Sequence, residues 1–386
     1  MKFFPLALMA LFLLTGCDGT ENEVPSTFIG RYRISDQLVP YPYLIQQKKD
    51  SVYFYNSRGD LLDKVEHESL SSSSELEFKT SKFKIFRVSK QGFMAYDLKD
   101  SLTFRRFRGR PKLKNAAQFE KIASVTNLNV EAIRTSLEDA IWSYDLVADE
   151  NTTPNTDLDI KQLMHFSADS LSIITSYYYQ GLKTVSEFET KAFSVFKVGE
   201  SCFLSFQKEA DNPQPIYQII AAEDGSIQLK DFSSREIKTI TFKKQAMDPT
   251  QFLALADEAT SYADCFDGYQ GEYYFGDDVT FNKGNQYLMD FLNVDLPKTD
   301  SASGYVIVHF NINCQAKLGK FGLIQMDRNY QKTSFSKALV SHILKKVSQL
   351  EDWPSSQSQL AHLDYQDVHA FLMFKIGNGK ITDLCP

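Results

Sequence analysis

Side chains able to do chemistry are sparse in this chain. Its six histidines are scattered. Only His362 and His369, with Asp364 and Asp367 between them, have the makeup of a metal-ligand set. No helical or strand register in that segment would make them converge, so a solvated loop is expected there and no metal. The five cysteines are Cys17, Cys202, Cys265, Cys314 and Cys385. Cys202 alternates with Leu204 and Phe206, the spacing of a buried free thiol on a strand. Cys265, Cys314 and Cys385 all fall in the last part of the chain, and in an oxidising compartment two of them are expected to bridge. Spacing alone leaves the pair open. Arg105, Arg106, Arg108, Arg110, Lys112 and Lys114 form a basic run that can meet anionic head groups or peptidoglycan, although a solvated strand end and linker is the simpler reading. The chain has no phosphate-cradling Gly-Lys loop, no Gly-x-Ser-x-Gly, no His-Glu-x-x-His and no dinucleotide fingerprint. A non-catalytic protein without a cofactor is expected.

The N-terminus carries the sharpest local pattern. Met1-Lys2 gives a positive start, an apolar run of about 12 residues follows, and Leu14-Thr15-Gly16-Cys17 closes it. The run is shorter than the ~20 residues that span a bilayer. Leu-x-Gly-Cys resembles a bacterial lipoprotein box. The resemblance implies cleavage after residue 16 and diacylglycerol and palmitate on Cys17. Two or three acyl chains, at about 0.8 kcal/mol per buried CH₂, make a lasting anchor. Asp18 resembles an inner-membrane retention signal of enteric bacteria, a rule that does not transfer across bacterial groups, so the choice of membrane stays open.

The elements behind these residues are mostly strands. A 43% apolar chain of 386 residues can bury several cores, and 30 Phe with 19 Tyr favour sheets. The net charge of −7 argues against nucleic acid. After a signal peptide (1–16) and a lipidated leash (17–27), short alternating runs at about ten-residue spacing read as an antiparallel barrel or sandwich over 28–114. A helical connector is expected over 115–139, from Phe119, Ile122 and Ala123 and then Val130, Ile133 and Leu137, with Asn129 able to cap the second piece. A second β domain follows over 140–245. The two match internally: Glu77-Phe78-Lys79-Thr80-Ser81-Lys82-Phe83-Lys84-Ile85-Phe86-Arg87-Val88 aligns without a gap to Glu187-Phe188-Glu189-Thr190-Lys191-Ala192-Phe193-Ser194-Val195-Phe196-Lys197-Val198. Phe93-Met94-Ala95-Tyr96 continues in register with Phe203-Leu204-Ser205-Phe206. After each copy a Gln-Phe-x-x-apolar-Ala segment, at Gln118 and at Gln251, reads as a helix. The Gly-x-Tyr start and the strand meander are similar to lipocalin-type barrels, which implies a small apolar ligand inside.

The last unit, 246–386, is read from its strands. Tyr305-Val306-Ile307-Val308-His309-Phe310-Asn311-Ile312 puts Val306, Val308, Phe310 and Ile312 on one face, with Ile307 the one apolar residue out of place. A second strand is expected near 320–326. Thr333 or Ser334 would then cap a helix carrying Phe335, Leu339, Ile343, Val347 and Leu350, stopped by Trp353-Pro354. A third strand is Phe371, Leu372, Met373, Phe374, Lys375 and Ile376, and Asn378-Gly379 signals a two-residue turn after it. This stretch resembles the C-terminal domain of TonB-type proteins. The short helix at 281–292, Leu296-Pro297, Gly304, Gly319 and Trp353-Pro354 stand where that family has its helix, Tyr-Pro, strand-opening Gly, turn Gly and aromatic-x-Pro. Leucine replaces the family's Tyr, and the spacing after Trp353 is shortened.

The expected class is therefore an α+β multidomain chain. Two repeated antiparallel barrel-like or sandwich domains precede a TonB-like domain with a three-stranded antiparallel sheet and helices. The resemblance implies docking of an envelope protein, such as an outer-membrane receptor, by strand addition along residues 371–376. If residues 381–384 fold back, they cover that edge. A TonB-type motor link needs a membrane helix and a Pro-rich rod, and this chain shows neither. The alternative is a lipoprotein holding an apolar small molecule in a barrel. Either way the lipoprotein-box resemblance implies a place in the bacterial envelope, anchored by acyl chains, with the folded part expected in the periplasm.

Overall fold

The computed structural model describes residues 26–34, 37–67, 69–98, 116–138, 140–146, 158–168, 170–207, 216–232, 237–263, 271–272, 281–298, 302–354 and 367–385. The leader, Cys17 and residues 18–25, the basic run at 105–114, Cys265, His362 and Asp364 lie outside that set, while Ser26 and Thr27, expected in the leash, open the first strand.

The first β domain is one eight-stranded sheet. Its strands are β1 (Ser26–Ile34), β2 (Gln37–Lys48), β3 (Ser51–Tyr55), β4 (Leu61–Glu66), β5 (Glu75–Glu77), β6 (Lys82–Ser89), β7 (Gly92–Asp97) and β8 (Ala116–Ile122). The spatial order is β4-β3-β2-β1-β8-β7-β6-β5, so the first and last strands lie side by side and the sheet curls towards a barrel. Alternation drives it: Val52 and Phe54 of β3, Phe83 and Ile85 of β6, and Ala117 and Phe119 of β8 all turn into one core. Rings fill that core. Phe54 stacks on Phe78 at 4.6 Å, Phe93 on Phe119 at 4.7 Å, and Phe28 meets Phe93 edge-on at 5.2 Å. Each buried ring contributes about 1.5–3 kcal/mol over its exposed state.

β8 overturns one expectation. The helical connector expected from residue 115 begins as a strand, and the first domain runs to Ile122 rather than ending at 114. Phe119 and Ile122 fit helical spacing, but Ala117 and Phe119 fit period two, and β1 and β7 pair with β8 on either side. The matching segment at Gln251 is a helix, α2 (Pro249–Asp257), because it has a start signal that Gln118 lacks. The Asp248 carboxylate accepts from the Gln251 N–H, the Gln251 side-chain oxygen accepts from the Asp248 N–H, and Pro249 fixes the first turn.

The second half of the connector is helical as expected, α1 (Val130–Glu138). Asn129 Oδ1 caps it by accepting from the Ala132 N–H at 3.1 Å. Ile133 and Leu137 enter the core of the second domain, and Trp142 Nε1 donates to Leu137 O at 3.1 Å.

That second domain is a closed barrel. Its strands are β9 (Ile141–Leu146), β10 (Leu158–Ser167), β11 (Ser170–Tyr179), β12 (Leu182–Val198), β13 (Ser201–Gln207), β14 (Ile216–Glu223), β15 (Ser226–Asp231) and β16 (Lys238–Gln245). Each pairs with its sequence neighbour and β16 returns to β9, an up-and-down barrel, with β17 (Thr260–Ser261) added parallel to β12. The 17-residue β12 completes the ring: Leu182 to Ala192 pair with β11, and Ala192 to Val198 with β13. In the first copy the corresponding run is broken between β5 and β6 at residues 78–81. No ladder joins β4 to β5 there, and the seam is bridged by Asp63 Oδ2 accepting from the Lys79 N–H at 2.8 Å.

The units pack against each other. Ile29, Leu44 and Ile122 from the first domain share a cluster with Phe196, Val198, Phe203 and Ile216 from the second. The link segment is bound to the second domain, with Gln218 Nε2 donating to Ala123 O at 2.7 Å.

The C-terminal unit comprises β18 (Gly271–Glu272), α3 (Gly284–Asn293), β19 (Gly304–Ile312), β20 (Leu318–Asp327), α4 (Lys337–Ser348), β21 (Val368–Gly377) and β22 (Lys380–Cys385). The sheet has five strands rather than three: the three expected strands lie in the order β20-β19-β21, with β22 and the parallel β18 beside β21. Ser336, not Thr333 or Ser334, caps α4, its hydroxyl accepting from the Leu339 N–H at 3.4 Å. Leu339, Val340, Ile343, Leu344 and Val347 of α4 share one core with the sheet and with Leu158, Tyr177, Tyr179 and Val185 of the second barrel.

Candidate interaction surface on the C-terminal sheet

The expected pairing strand is β21. Its Val368, Ala370, Leu372, Phe374 and Ile376 are buried, and His369, Phe371, Met373 and Lys375 alternate with them. The structure does not leave this strand open. β19 pairs along it from Val368 to Ile376, β18 pairs with Val368 and His369, and β22 pairs from Met373 to Gly377. Residues Phe371, Leu372, Met373, Phe374, Lys375 and Ile376 therefore lie inside the sheet rather than on a free edge. The cause is the turn: Asn378 and Gly379 take φ of 52° and 70°, the conformation of a tight hairpin, and send the chain straight back. Ile381 and Leu384 then sink into the same core as Leu288 and Leu292 of α3.

Among the described residues the strands with an outer side are β20, β22 and the two-residue β18. On β20, Lys320 N–H donates to Glu187 Oε1 at 2.7 Å, Asp327 N–H to Gln331 O at 2.9 Å and Thr333 N–H to Gln325 O at 3.2 Å, so that edge is covered. On β22, among the described residues, no strand or loop pairs with the side away from β21. Thr382 and Asp383 are exposed along it.

The sheet face carrying Tyr305, Ile307 and His309 with Phe371, Met373 and Lys375 is half-buried to exposed. Tyr305 stacks on the exposed Tyr330 at 5.3 Å. His309 lies 5.5 Å from His369, ring to ring, and among the described residues neither of its nitrogens has a hydrogen-bond partner. Burial, with His369 adding to it, pushes His309 down to about 4. Asp367 is buried at the start of β21. Among the described residues no group of three His, Cys, Asp or Glu can hold a metal.

Cys202 is a buried free thiol, its Sγ 3.7 Å from Leu128 O. Burial raises its pKa. Cys314 is disulfide-bonded, and the side chain of its partner lies outside the described residues. Phenylalanine rings pack through the core of the first domain. An open cleft of about 500 Å³ lies along β6, β7 and β8, with Arg87, Gln118, Glu120, Lys121 and Ile237 in its wall.

Two buried charged residues, Arg31 and Glu187, escaped sequence reasoning. Arg31 is ion-paired to Glu120 at 3.0 Å, and Glu187 lies beneath the C-terminal unit. A charged residue on a strand's outer face reads as solvated until the neighbouring domain is known. Among the described residues no helix is long and apolar enough to cross a membrane. No family model, no curated protein and no solved structure matches this chain.

Proposed function

We propose that the chain is a non-catalytic lipoprotein of the bacterial envelope, tethered by acyl chains on Cys17, whose TonB-like C-terminal domain binds an envelope protein by strand addition. The observation that carries this reading is that, among the described residues, no strand pairs with the outer side of β22, although the Leu384 N–H already donates to the Asp383 carboxylate at 3.0 Å. That edge offers main-chain donors and acceptors, and the burial of Ile381 and Leu384 holds it in place. The docking strand is thus β22 rather than β21, and an extended segment of the partner would add beside it. The tether keeps the domain close to envelope proteins, which raises the effective concentration of a weak edge-to-strand contact.

A photoreactive residue placed at Asp383 in the full-length chain tests this in envelope membranes. A discrete crosslinked partner from Asp383, absent when the probe is moved to the exposed Lys345 of α4, is the expected result. The same partner captured from both positions would remove the edge from the account.

A further inference from the structure

Where the second barrel meets the C-terminal unit, the fold buries a carboxylic acid that makes no ion pair with a cationic side chain among the described residues. Glu187 projects from β12 and is 6% exposed. Its Oε1 accepts from the main-chain N–H of Lys320, and the Tyr177 hydroxyl is hydrogen-bonded to the same carboxyl. Lys320 stands in the left-handed region at φ 55°. Around this point the two units are joined closely. Tyr177 meets Phe321 edge-on at 5.9 Å, Tyr262 N–H donates to Phe188 O at 3.0 Å, and Asn313 Nδ2 donates to Ala263 O at 2.8 Å. The groups facing Glu187 are Tyr177 from β11, Glu189 from its own strand and Lys320 from β20. Glu189 is itself held by Lys191 at 2.8 Å.

We propose that Glu187 is a proton-operated clasp: protonated, it seats the C-terminal unit on the second barrel, and its ionisation loosens that junction. The proposal is independent of which sheet edge a partner uses. Loosening the junction would free the face of α4 that now packs with Leu158, Tyr177, Tyr179 and Val185.

The sign of the linkage follows from burial. Desolvation pushes the Glu187 carboxyl up to about 8, against an ordinary value of 4.5, although the Tyr177 and Lys320 donors pull the other way. The docked state therefore binds the proton more tightly than the separated one. Docking is strongest below the ordinary value, weakens by up to about tenfold per pH unit as pH rises, and changes no further above about 8. His309 has the opposite sign and acts below 6.5.

Hydrogen exchange of the full chain from pH 6.5 to 9.5, corrected for the intrinsic rate, reads the opening of the Lys320 and Tyr262 amides. Their opening constants should rise about tenfold per unit and level off near pH 8. In Glu187→Gln the rise should vanish. In Tyr177→Phe, which keeps the carboxyl but removes a donor that favours its charged form, the plateau should move to higher pH. A flat wild-type profile, an unchanged slope in Glu187→Gln, or an unmoved plateau in Tyr177→Phe would each overturn the clasp.

Discussion

Arg31 on β1 and Glu120 on β8 form an ion pair at 3.0 Å that joins the first and last strands of the first domain. Arg31 is almost fully enclosed, and Gln118 Nε2 also donates to the shared oxygen at 2.9 Å. Removing the carboxylate takes an ion-pair partner from a buried guanidinium. Glu120→Ala should cost roughly 2–4 kcal/mol, while Arg31→Met with Glu120→Leu should cost much less, because the pair must repay its own desolvation. Local opening of β1 and β8, followed by hydrogen exchange, separates this from unfolding of the other units.

Gly92 and Gly181 both stand at positive φ, 144° and 76°, but their surroundings differ. A Cβ on Gly92 would overlap Phe119 O, whereas one on Gly181 would meet nothing within 4 Å. Gly92→Ala should destabilise the first domain by roughly 2–4 kcal/mol through a main-chain clash and strain. Gly181→Ala should cost only about 1 kcal/mol. Equal shifts in the urea transition of the domain concerned would contradict this.

The bridge to Cys314 can be assigned by peptide mapping without reduction. Cys385 pairs with Met373, five positions along β21 from Val368, and Val368 is the partner of Ile312. At about 3.3 Å per residue that places it far beyond the ~7 Å Cα limit of a disulfide. Asn313 instead bonds to Ala263, two residues before Cys265 in the sequence. A Cys265–Cys314 peptide is expected, and a Cys314–Cys385 peptide would refute the assignment.

His309 makes the C-terminal unit sensitive to acid. Its imidazole, held down to about 4, binds a proton more readily once unfolded. The stability it leaves intact above about 6.5 is lost progressively as pH falls towards 4, and no further below. His309→Phe should flatten that window in a thermal melt, whereas an unchanged acid limb would show that other groups are responsible.

The parts of this fold that were legible in the sequence are local. The period-two runs of β19 and β21, the 3.6-residue repeat of α4 and the Asn378-Gly379 turn each need only a short window, and all form where expected. The buried free thiol of Cys202 was legible for the same reason. β8 was misread because Phe119 and Ile122 stand at helical spacing, whereas on the strand they face opposite sides, Phe119 into the first core and Ile122 into the cluster shared with the second domain, and its partner β1 lies about ninety residues away. Ser336 was missed as a cap because Thr333 and Ser334 offer the same chemistry one turn earlier. The difference between a closed and a seamed barrel depends on whether β12 or its counterpart runs unbroken. The covering of β21 was visible only as a condition, since it needs Ile381 and Leu384 to find α3.

Lipid attachment has a simple readout. Labelled palmitate should enter the wild-type protein and be lost in Cys17→Ala, with release of the chain from membranes. Label retained in that variant would place the anchor elsewhere.

The central claim is that β22 receives a partner's strand. Once a partner has been captured, hydrogen exchange of residues 380–385 in the free and bound full-length chain tests it most directly. The account predicts that amides of β22 pointing away from β21 become protected on binding while those of β12 and β13 do not change. A stable complex that leaves exchange along β22 as it was would contradict it.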